Sequence, residues 1–317
     1  MDTRANPTVS LIAPAHNEAG NITLLFERIV ETFADSGFSC QVVFVDDGSS
    51  DSTYGEMREV ATRADLPCAV TVLSFSRNFG KEAAMLAGLR SATGDYIGFI
   101  DADLQQDPVD FLEMCKLLQL NPEYDCVAAF QANRKRGFRE RMSDRFYGFF
   151  ARTSHLDVVD GASDFRVFTR KVCEALLAMP EYHRFSKGLF AWVGFKTLPY
   201  EYTPGERANG ETNWSTRGLV RYAAEGIMSF SSFPLRLATY IGSVVSVAAI
   251  VYLIYEIIKH FVSGVDVPGF TTIVVLILFF GGLQLFFLGI IGEYLARTYI
   301  QGKQRPSYVI RDRIDSE

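Results

Sequence analysis

Two long apolar segments in the last third of the chain constrain its fold most strongly. Leu235–Val262 and Phe270–Tyr294 each contain a run long enough to cross a bilayer core of about 30 Å at about 1.5 Å per helical residue. Only 263–269 lies between them, and it lacks lysine and arginine. Basic residues instead flank the start of the first segment and the end of the second. The positive-inside rule therefore predicts a transmembrane hairpin with both ends in the cytoplasm. Two buried core helices would fit this length and charge bias poorly.

The hairpin sets the domain boundaries. We predict a folded domain over 1–215, an amphipathic interfacial helix over 216–233, transmembrane helices over 234–262 and 270–297, an extracytoplasmic loop over 263–269, and a cytoplasmic tail over 298–317. This organisation describes a multi-pass protein of the inner (plasma) membrane whose folded domain is cytoplasmic. Glycines at small-residue spacing in the second membrane segment are compatible with a homo-oligomer.

The first two thirds of the chain alternate apolar runs with helical patterns. The runs typical of buried strands are Thr8–Ala13, Gln41–Val45, Ala69–Phe75 and Tyr96–Ile100. Helices are predicted over 19–35, from 51 or 52 to 62, and over 82–91. This alternation favours right-handed βαβ units and an α/β fold with a mostly parallel sheet. Further strands are predicted over Asp125–Phe130, Gly161–Thr169 and Leu189–Pro199.

Several classes of protein are disfavoured by what the sequence lacks. No GxGxxG follows the first strand and no GxxxxGK[ST] occurs, which argues against a dinucleotide dehydrogenase and a P-loop NTPase. The net charge of −6 gives no support for a nucleic-acid partner. The five cysteines show no CxxC spacing and no signal-peptide pattern opens the chain, so we expect a cytoplasmic domain with reduced thiols.

The stretch after the fourth strand, DADLQQD, carries the strongest candidate for a metal site. Asp101 and Asp103 are one residue apart and Gln105 follows, so their side chains can converge at the end of the strand. Carboxylate and amide oxygens suit Mg²⁺ or Mn²⁺, with water and substrate phosphates completing the coordination. The alternative is a loop whose aspartates cap the helix that starts near Pro108, and we expect Asp107 to be that cap.

A basic segment lies in the second half of the domain. Gln131–Arg145 carries six basic side chains, and Asp164 and Arg166 follow in the strand Gly161–Thr169. A run of charge is commonly a solvated face of a protein. Close to acidic metal ligands, however, arginines are also what a phosphate or diphosphate would need.

Five motifs, taken together and in order, resemble the polyisoprenyl-phosphate glycosyltransferases of glycosyltransferase family 2. The resemblance extends over nearly the whole chain and includes the C-terminal hairpin. One departure is His16, which stands where a tyrosine is common, and another is Thr212-Asn213-Trp214 in place of a pattern nearer Ser-Lys-Tyr. The motifs are Pro14-Ala15-His16-Asn17-Glu18, Asp46-Asp47-Gly48-Ser49-Ser50-Asp51, Arg77-Asn78-Phe79-Gly80-Lys81, Asp101-Ala102-Asp103-Leu104-Gln105 and Ser163-Asp164-Phe165-Arg166.

The resemblance implies a GT-A fold and inverting transfer from a nucleotide-diphosphate sugar, expected to be UDP-glucose, to a polyprenyl phosphate such as undecaprenyl phosphate. It implies Mg²⁺ or Mn²⁺ bound by Asp101, Asp103 and Gln105, and catalytic roles for Asp164 and Arg166. The expected donor-binding residues are Pro14, Asn17, Glu18, Asp46, Asp47, Lys81 and Asp101. The expected contacts to the acceptor phosphate are Arg134, Arg139, Ser143 and Arg207.

The role of Asp164 follows only in part from the resemblance, which makes it the candidate base. A phosphate monoester has a second pKa of about 6 and hardly needs deprotonation at neutral pH. Asp164 would then orient Arg166 or the acceptor. Two other functions are less favoured by the sequence. A processive polysaccharide synthase would normally carry a QxxRW-type motif and more membrane helices, which this sequence does not show. A nucleotide-sugar sensor could lose the candidate metal ligands, which this chain retains.

Overall fold

The computed structural model describes residues 6–64, 66–131, 162–205, 233–263 and 269–316. These residues fall into two compact units, an α/β domain and a pair of long helices. The strands are β1 (Thr8–Ala15), β2 (Ser39–Asp46), β3 (Ala69–Phe75), β4 (Tyr96–Phe99), β5 (Cys126–Gln131), β6 (Ala162–Thr169), β7 (Thr197–Tyr202) and β8 (Ile310–Asp315). The helices are α1 (Ile22–Phe33), α2 (Thr53–Ala61), α3 (Lys81–Ser91), α4 (Pro108–Leu120), α5 (Arg170–Leu177), α6 (Ser186–Val193), α7 (Phe233–Ser263) and α8 (Phe270–Gly302).

The strands of the described domain form one sheet in the order β7-β5-β6-β4-β1-β2-β3-β8. As predicted, the first four strands run parallel to one another, with β1 between β4 and β2. The predicted α/β class and mostly parallel sheet are therefore confirmed. Two strands run the other way: β6 is antiparallel to both β4 and β5, and β8 is antiparallel to β3.

Helices cover both faces of the central strands, which is why those strands are apolar at nearly every position. On one face, Leu11 and Ala13 of β1 pack with α1, whose buried residues recur every three or four positions. On the other face, α3 lies so close to β1 that a Cβ on Gly88 would be 2.1 Å from Ile12 Cγ2. The five cysteine thiols are free and buried within this core.

One predicted strand is wrong. Leu189–Pro199 was expected to be extended, but its first part belongs to helix α6, and the strand β7 begins only at Thr197. Gly194 separates the two with a left-handed backbone (φ 67°), the conformation that commonly ends a helix. A short apolar run fits a buried helix and a buried strand equally well, so periodicity alone could not decide between them.

The two long helices agree with the predicted hairpin segments to within a few residues. By length and composition, Phe233–Tyr252 and Phe279–Gly302 are each able to cross a membrane. Many of their large apolar side chains are exposed, including Val244 and Leu285. The predicted interfacial helix over 216–233 lies outside the described residues except for its last position, and the loop over 263–269 is described only at its two ends.

The segment predicted as a tail has more structure than expected. Helix α8 continues to Gly302, and Ile310–Asp315 then forms β8, which pairs with β3 at the edge of the sheet. The sequence does not predict this strand, because the alternating charges of IRDRID are also typical of a solvated terminal segment.

Candidate active site

The site lies at the carboxyl ends of the parallel strands, and the end of β2 organises its first part. Asp46 is fully buried, and both of its carboxylate oxygens accept hydrogen bonds from protein groups. Oδ1 accepts from the backbone N–H of Ser49 at 2.9 Å, and Oδ2 accepts from the hydroxyl of Ser74 at 2.7 Å. Asp46 therefore supports the loop that follows β2, and its carboxylate is already engaged.

Asp47 connects this loop to the one that follows β3. Its carboxylate accepts from the backbone N–H of Phe79 at 2.6 Å and of Gly80 at 2.8 Å. Burial raises the pKa of Asp47, and the two backbone donors limit that rise. The loops touch at Gly48, whose φ is 67° and where a Cβ would be 2.4 Å from the carbonyl carbon of Arg77. Only glycine fits there, because any side chain would collide with backbone.

The loop after β1 joins the same cluster. Asn17 has a left-handed backbone (φ 57°), and its side-chain oxygen accepts from the backbone N–H of Ser50 at 2.9 Å. His16 Nδ1 lies 3.0 Å from the carbonyl oxygen of Asp47, and both His16 and Asn17 are exposed. Glu18 accepts from Asn21 Nδ2 at 2.8 Å. Pro14 differs from these residues because it is buried within β1.

The loop after β4 carries the acidic residues. Asp101 Oδ2 accepts from Gln106 Nε2 at 3.0 Å, and the backbone N–H of Asp101 donates to Gln106 Oε1 at 2.8 Å. Asp103 Oδ1 accepts from the backbone N–H of Gln105 at 3.1 Å, next to Leu104, whose φ is 62°. The predicted cap is confirmed, because the side chain of Asp107 accepts from Val109 N at the start of α4.

Lys81 joins the acidic loop to β6. Its Nζ lies 2.7 Å from Asp101 Oδ1 and 3.3 Å from Asp164 Oδ2, so one ammonium group bridges two carboxylates that are distant in sequence. Burial alone would lower the pKa of Lys81, but Asp101 and Asp164 outweigh burial and raise it. Burial likewise opposes ionisation of Asp164, yet the charges of Lys81, Lys187 and Arg166 lower its pKa. Lys81 and Asp164 of this Lys81–Asp101–Asp164 cluster are therefore both charged at neutral pH.

Arg166 lies in the same strand as Asp164, two positions along, so the two side chains share one face of β6. Arg166 is buried and donates from Nη2 to the carbonyl oxygen of Ser163 at 2.9 Å. Its guanidinium carbon lies 4.1 Å from the ring centroid of Phe190 on α6, a cation–π contact. The charge of Arg166 is thus held in a fixed place beside Asp164.

A partly buried pair connects α3 to α6 beside this cluster. The carboxylate of Glu82 accepts from the backbone N–H of Ser186 at 2.9 Å and from its hydroxyl at 2.5 Å. Burial raises the pKa of Glu82, against the effect of those two donors. Because Glu82 follows Lys81 directly, this contact also fixes the start of α3, from which Lys81 reaches the two aspartates.

Roles for Gln106 and Glu82 are not predicted by the sequence motifs. The motif indicates Gln105 as the functional glutamine. In the structure it is Gln106 that is buried and that makes two hydrogen bonds with Asp101. The sequence offered a weak signal, since a glutamine between an acidic loop and an apolar helix is available to bond that loop. Arg134, Arg139, Ser143 and Arg207, the predicted acceptor-phosphate residues, lie outside the described residues.

Replacing Gln106 with leucine should weaken the site without removing any charge. The variant loses both hydrogen bonds between Gln106 and Asp101, so Lys81 is left to orient the carboxylate without the bond to Oδ2. Groups that orient a ligating carboxylate typically contribute about 10- to 100-fold to metal affinity or activity. We expect the Mg²⁺ concentration for half-maximal activity to rise by about that factor, measured as a metal titration of turnover. Unchanged Mg²⁺ dependence in a folded Gln106→Leu protein would contradict this role.

The residues at the end of β4 fit a hard divalent cation. Asp101 and Asp103 supply carboxylate oxygens and Gln105 an amide oxygen, the ligand chemistry that Mg²⁺ and Mn²⁺ prefer. Among the described residues, no group of three or more His, Cys, Asp or Glu side chains could hold a metal alone. A cation here would depend on a substrate for part of its coordination, as Mg²⁺ in phosphate chemistry commonly does.

A mostly parallel sheet with an acidic loop and a charged cluster at its carboxyl edge is typical of glycosyltransferase domains of the GT-A class. Residues 10–177 match glycosyl transferase family 2, and the chain belongs to that family. Residues 233–298 match the GtrB C-terminal hairpin. The protein is therefore a glycosyltransferase with a family-specific helical hairpin, and the predicted resemblance is confirmed.

Named relatives align along nearly the whole chain. The prophage bactoprenol glucosyl transferase homolog of Escherichia coli (strain K12) is 38% identical over 305 residues, which cover 96% of this chain and 98% of that protein. The bactoprenol glucosyl transferase of Shigella phage SfV is 37% identical over 306 residues, with 96% and 98% coverage. Mannosyl-3-phosphoglycerate synthase from Rubrobacter xylanophilus shares the fold, with a TM-score of 0.50 and 19% identity over 70% of this chain and 72% of that chain.

Proposed function

We propose that this protein transfers one sugar from a nucleotide-diphosphate sugar to a polyprenyl phosphate at the cytoplasmic face of the inner membrane. The observation that carries the proposal is the Lys81–Asp101–Asp164 cluster, where opposite charges meet at the carboxyl edge of the sheet. Relatives named as bactoprenol glucosyl transferases support a polyprenyl phosphate as the acceptor and glucose as the sugar. The hairpin would hold the catalytic domain at the membrane, where such a lipid resides.

The donor would occupy the loops that follow β1, β2 and β3. Exposed His16 and Asn17 are available to the base and ribose, with Glu18 beside them. The engaged carboxylate of Asp46 favours a supporting role for that residue, and buried Pro14 would likewise act through the backbone that it shapes. UDP-glucose is the donor that we propose.

Asp101, Asp103 and Gln105 would hold Mg²⁺ or Mn²⁺ against the diphosphate. The bound cation would supply neutralising charge to the leaving nucleoside diphosphate. Lys81 adds a permanent positive charge at the same place, because its raised pKa keeps the amine protonated. Fixed positive charge of this kind stabilises the negative charge that develops on a leaving group.

In the proposed reaction, an oxygen of the acceptor phosphate attacks the anomeric carbon of the sugar. The bond from that carbon to the diphosphate oxygen breaks, and its electron pair leaves with the nucleoside diphosphate. A single displacement inverts the anomeric configuration, so an α-linked donor gives a β-linked lipid-phosphate sugar. Asp164 is poorly suited to remove a proton, since its lowered pKa makes it a weak base. It would instead orient Arg166 and the acceptor.

The pH dependence of transfer distinguishes a role of Asp164 as the base from a role as an orienting group. Because its pKa lies below the ordinary carboxyl value of about 3.9, Asp164 stays charged throughout pH 5–9. We expect kcat/KM for the lipid to fall below about pH 6, as the dianion of the acceptor phosphate takes up a proton. Asp164→Asn should lower the rate by up to about 100-fold, by the same factor at each pH, and leave this acid limb in place, because an orienting group acts by positioning.

Either of two results would contradict that expectation. Loss of the acid limb in Asp164→Asn would make Asp164 the titrating base. Near-normal turnover of that variant across pH 6–8 would exclude both roles. Circular dichroism of the variant should match the unaltered protein, so that a folding defect is not mistaken for lost catalysis.

A transfer assay tests the proposed function itself. Purified full-length protein in detergent is given undecaprenyl phosphate, Mg²⁺ or Mn²⁺, and each of a panel of radiolabelled nucleotide sugars. We expect chloroform-soluble label from one donor, lost with EDTA and restored by excess metal. Nucleotide binding without lipid product from any donor would instead support a sensor, and products of increasing length would support a processive synthase.

A further inference from the structure

Two contacts connect strand β8 to the buried aspartate that supports the loop after β2. Arg311 of β8 donates from Nη2 to the hydroxyl oxygen of Ser74 at 2.8 Å. The same hydroxyl donates its single hydrogen to Asp46 Oδ2 at 2.7 Å. A hydroxyl that accepts from arginine on one side is directed to donate on the other, so the chain Arg311–Ser74–Asp46 has a fixed polarity.

A second route runs through aromatic rings to Asp47. Tyr308, just before β8, stacks on Phe75 of β3 with ring centroids 4.9 Å apart and planes at 11°. Phe75 meets Phe79 edge-on at 5.7 Å, and the backbone N–H of Phe79 donates to Asp47. The tyrosine hydroxyl is held in turn by Arg90 Nη1 at 3.0 Å.

Both routes start in the segment that follows the membrane hairpin in sequence and end at the paired aspartates of the loop after β2. We propose that Arg311 and Tyr308 are positioning residues for the nucleotide part of the donor site. This inference rests on the proposed function, because it assumes that the loop bearing Asp46 and Asp47 receives the nucleotide. The segment from Tyr308 to Arg311 would act on donor affinity, and the chemical step would depend on the Lys81–Asp101–Asp164 cluster.

The position of Arg311 separates this role from general structural support. Its side chain is 49% exposed on an edge strand, where it also pairs with Asp312 at 3.0 Å and lies 5.2 Å from the ring centroid of Tyr54. Loss of such exposed contacts normally has little effect on the stability of the fold. Ser74 and Asp46, by contrast, are fully buried. Arg311 is therefore an accessible residue whose effect reaches the interior through one directed hydrogen bond.

The test is nucleotide binding to the full-length protein. UDP and GDP are titrated in the presence of Mg²⁺ into the unaltered chain, Arg311→Gln, Arg311→Lys and Arg313→Gln, well below the unfolding transition. Arg313→Gln is the matched control, because it removes the same charge from β8 while its partner is Asp315. We expect Arg311→Gln to weaken nucleotide binding about fivefold, the effect of one net hydrogen bond. Arg311→Lys should recover part of that loss, and Arg313→Gln should bind as the unaltered chain does.

Transfer kinetics give the second measurement. Arg311→Gln should raise KM for the sugar donor and leave kcat close to normal, and Tyr308→Ala should do the same while Tyr308→Phe, which keeps the stacked ring, should not. Equal nucleotide affinity in Arg311→Gln and the unaltered chain would overturn the inference, as would an equal loss in Arg313→Gln. If the unaltered chain bound neither nucleotide, the proposed donor site itself would be wrong. If the unaltered chain bound nucleotide and Arg311→Gln bound it equally well, only the inference about Arg311 would be wrong.

Discussion

Replacing Asp101 with asparagine should abolish nearly all metal-dependent sugar transfer, with a loss of about 10²- to 10³-fold in kcat. Asparagine keeps the size of the side chain and retains an oxygen for the bond from Gln106, so the change removes mainly the negative charge. In the proposed site this charge has two tasks: it would hold the cation on the diphosphate, and it fixes Lys81 at 2.7 Å. The measurement is turnover at saturating donor and lipid, with Mg²⁺ varied.

Asp107→Asn is the control for this variant. Asp107 lies in the same loop and also loses a negative charge, but its side chain caps α4 and contacts Arg28. A capping asparagine is nearly as favourable as aspartate, so this variant should retain most activity. Full activity of Asp101→Asn, or an equal loss in both variants, would refute the assignment of Asp101 to the metal.

Lys81→Met should have the second large effect, a fall of about 10²-fold in kcat. The variant leaves Asp101 and Asp164 facing each other without the cation that lies between them. It also removes the permanent positive charge proposed to stabilise the leaving diphosphate. Methionine preserves most of the unbranched side chain, so packing at the start of α3 should change little. The measurement is single-turnover transfer at saturating donor, which reports the chemical step.

Two further variants sharpen this prediction. Lys81→Arg keeps the charge with a different geometry and should retain part of the activity. Lys116→Met removes a lysine that pairs with Glu113 on the surface of α4, and it should behave like the unaltered protein. An effect of Lys81→Met confined to lipid KM would show that Lys81 serves the acceptor and would contradict its role at the diphosphate.

The sequence was sufficient to predict the first four strands along the chain, their parallel arrangement and the polar residues at their ends. This succeeds because each βαβ unit is local, and its periodicity is visible within a few tens of residues. Asp107 as a helix cap was predictable for the same reason, since an aspartate before proline has few other roles at the start of a helix.

The pairing of Lys81 with Asp164 could not be predicted from local periodicity. It depends on β6 entering the sheet antiparallel beside β4, a choice made by contacts between residues far apart in sequence. The bond from Gln106 to Asp101 could not be predicted for a different reason: it depends on the path of the loop, in which Leu104 has a left-handed backbone. Neither the pairing of distant strands nor the backbone angle of a non-glycine residue can be deduced from local sequence patterns.

Strand β8 also has a consequence for the solubility of the domain. Without it, β3 would present an open edge with the sequence AVTVLSF, a short apolar segment of high β-propensity. β8 covers that edge with IRDRID, which is mostly exposed and carries a charge at four of its positions, Arg311, Asp312, Arg313 and Asp315. Charged side chains on an outer strand discourage pairing with the sheet of another molecule. This side of the sheet therefore ends in a strand that protects it from aggregation.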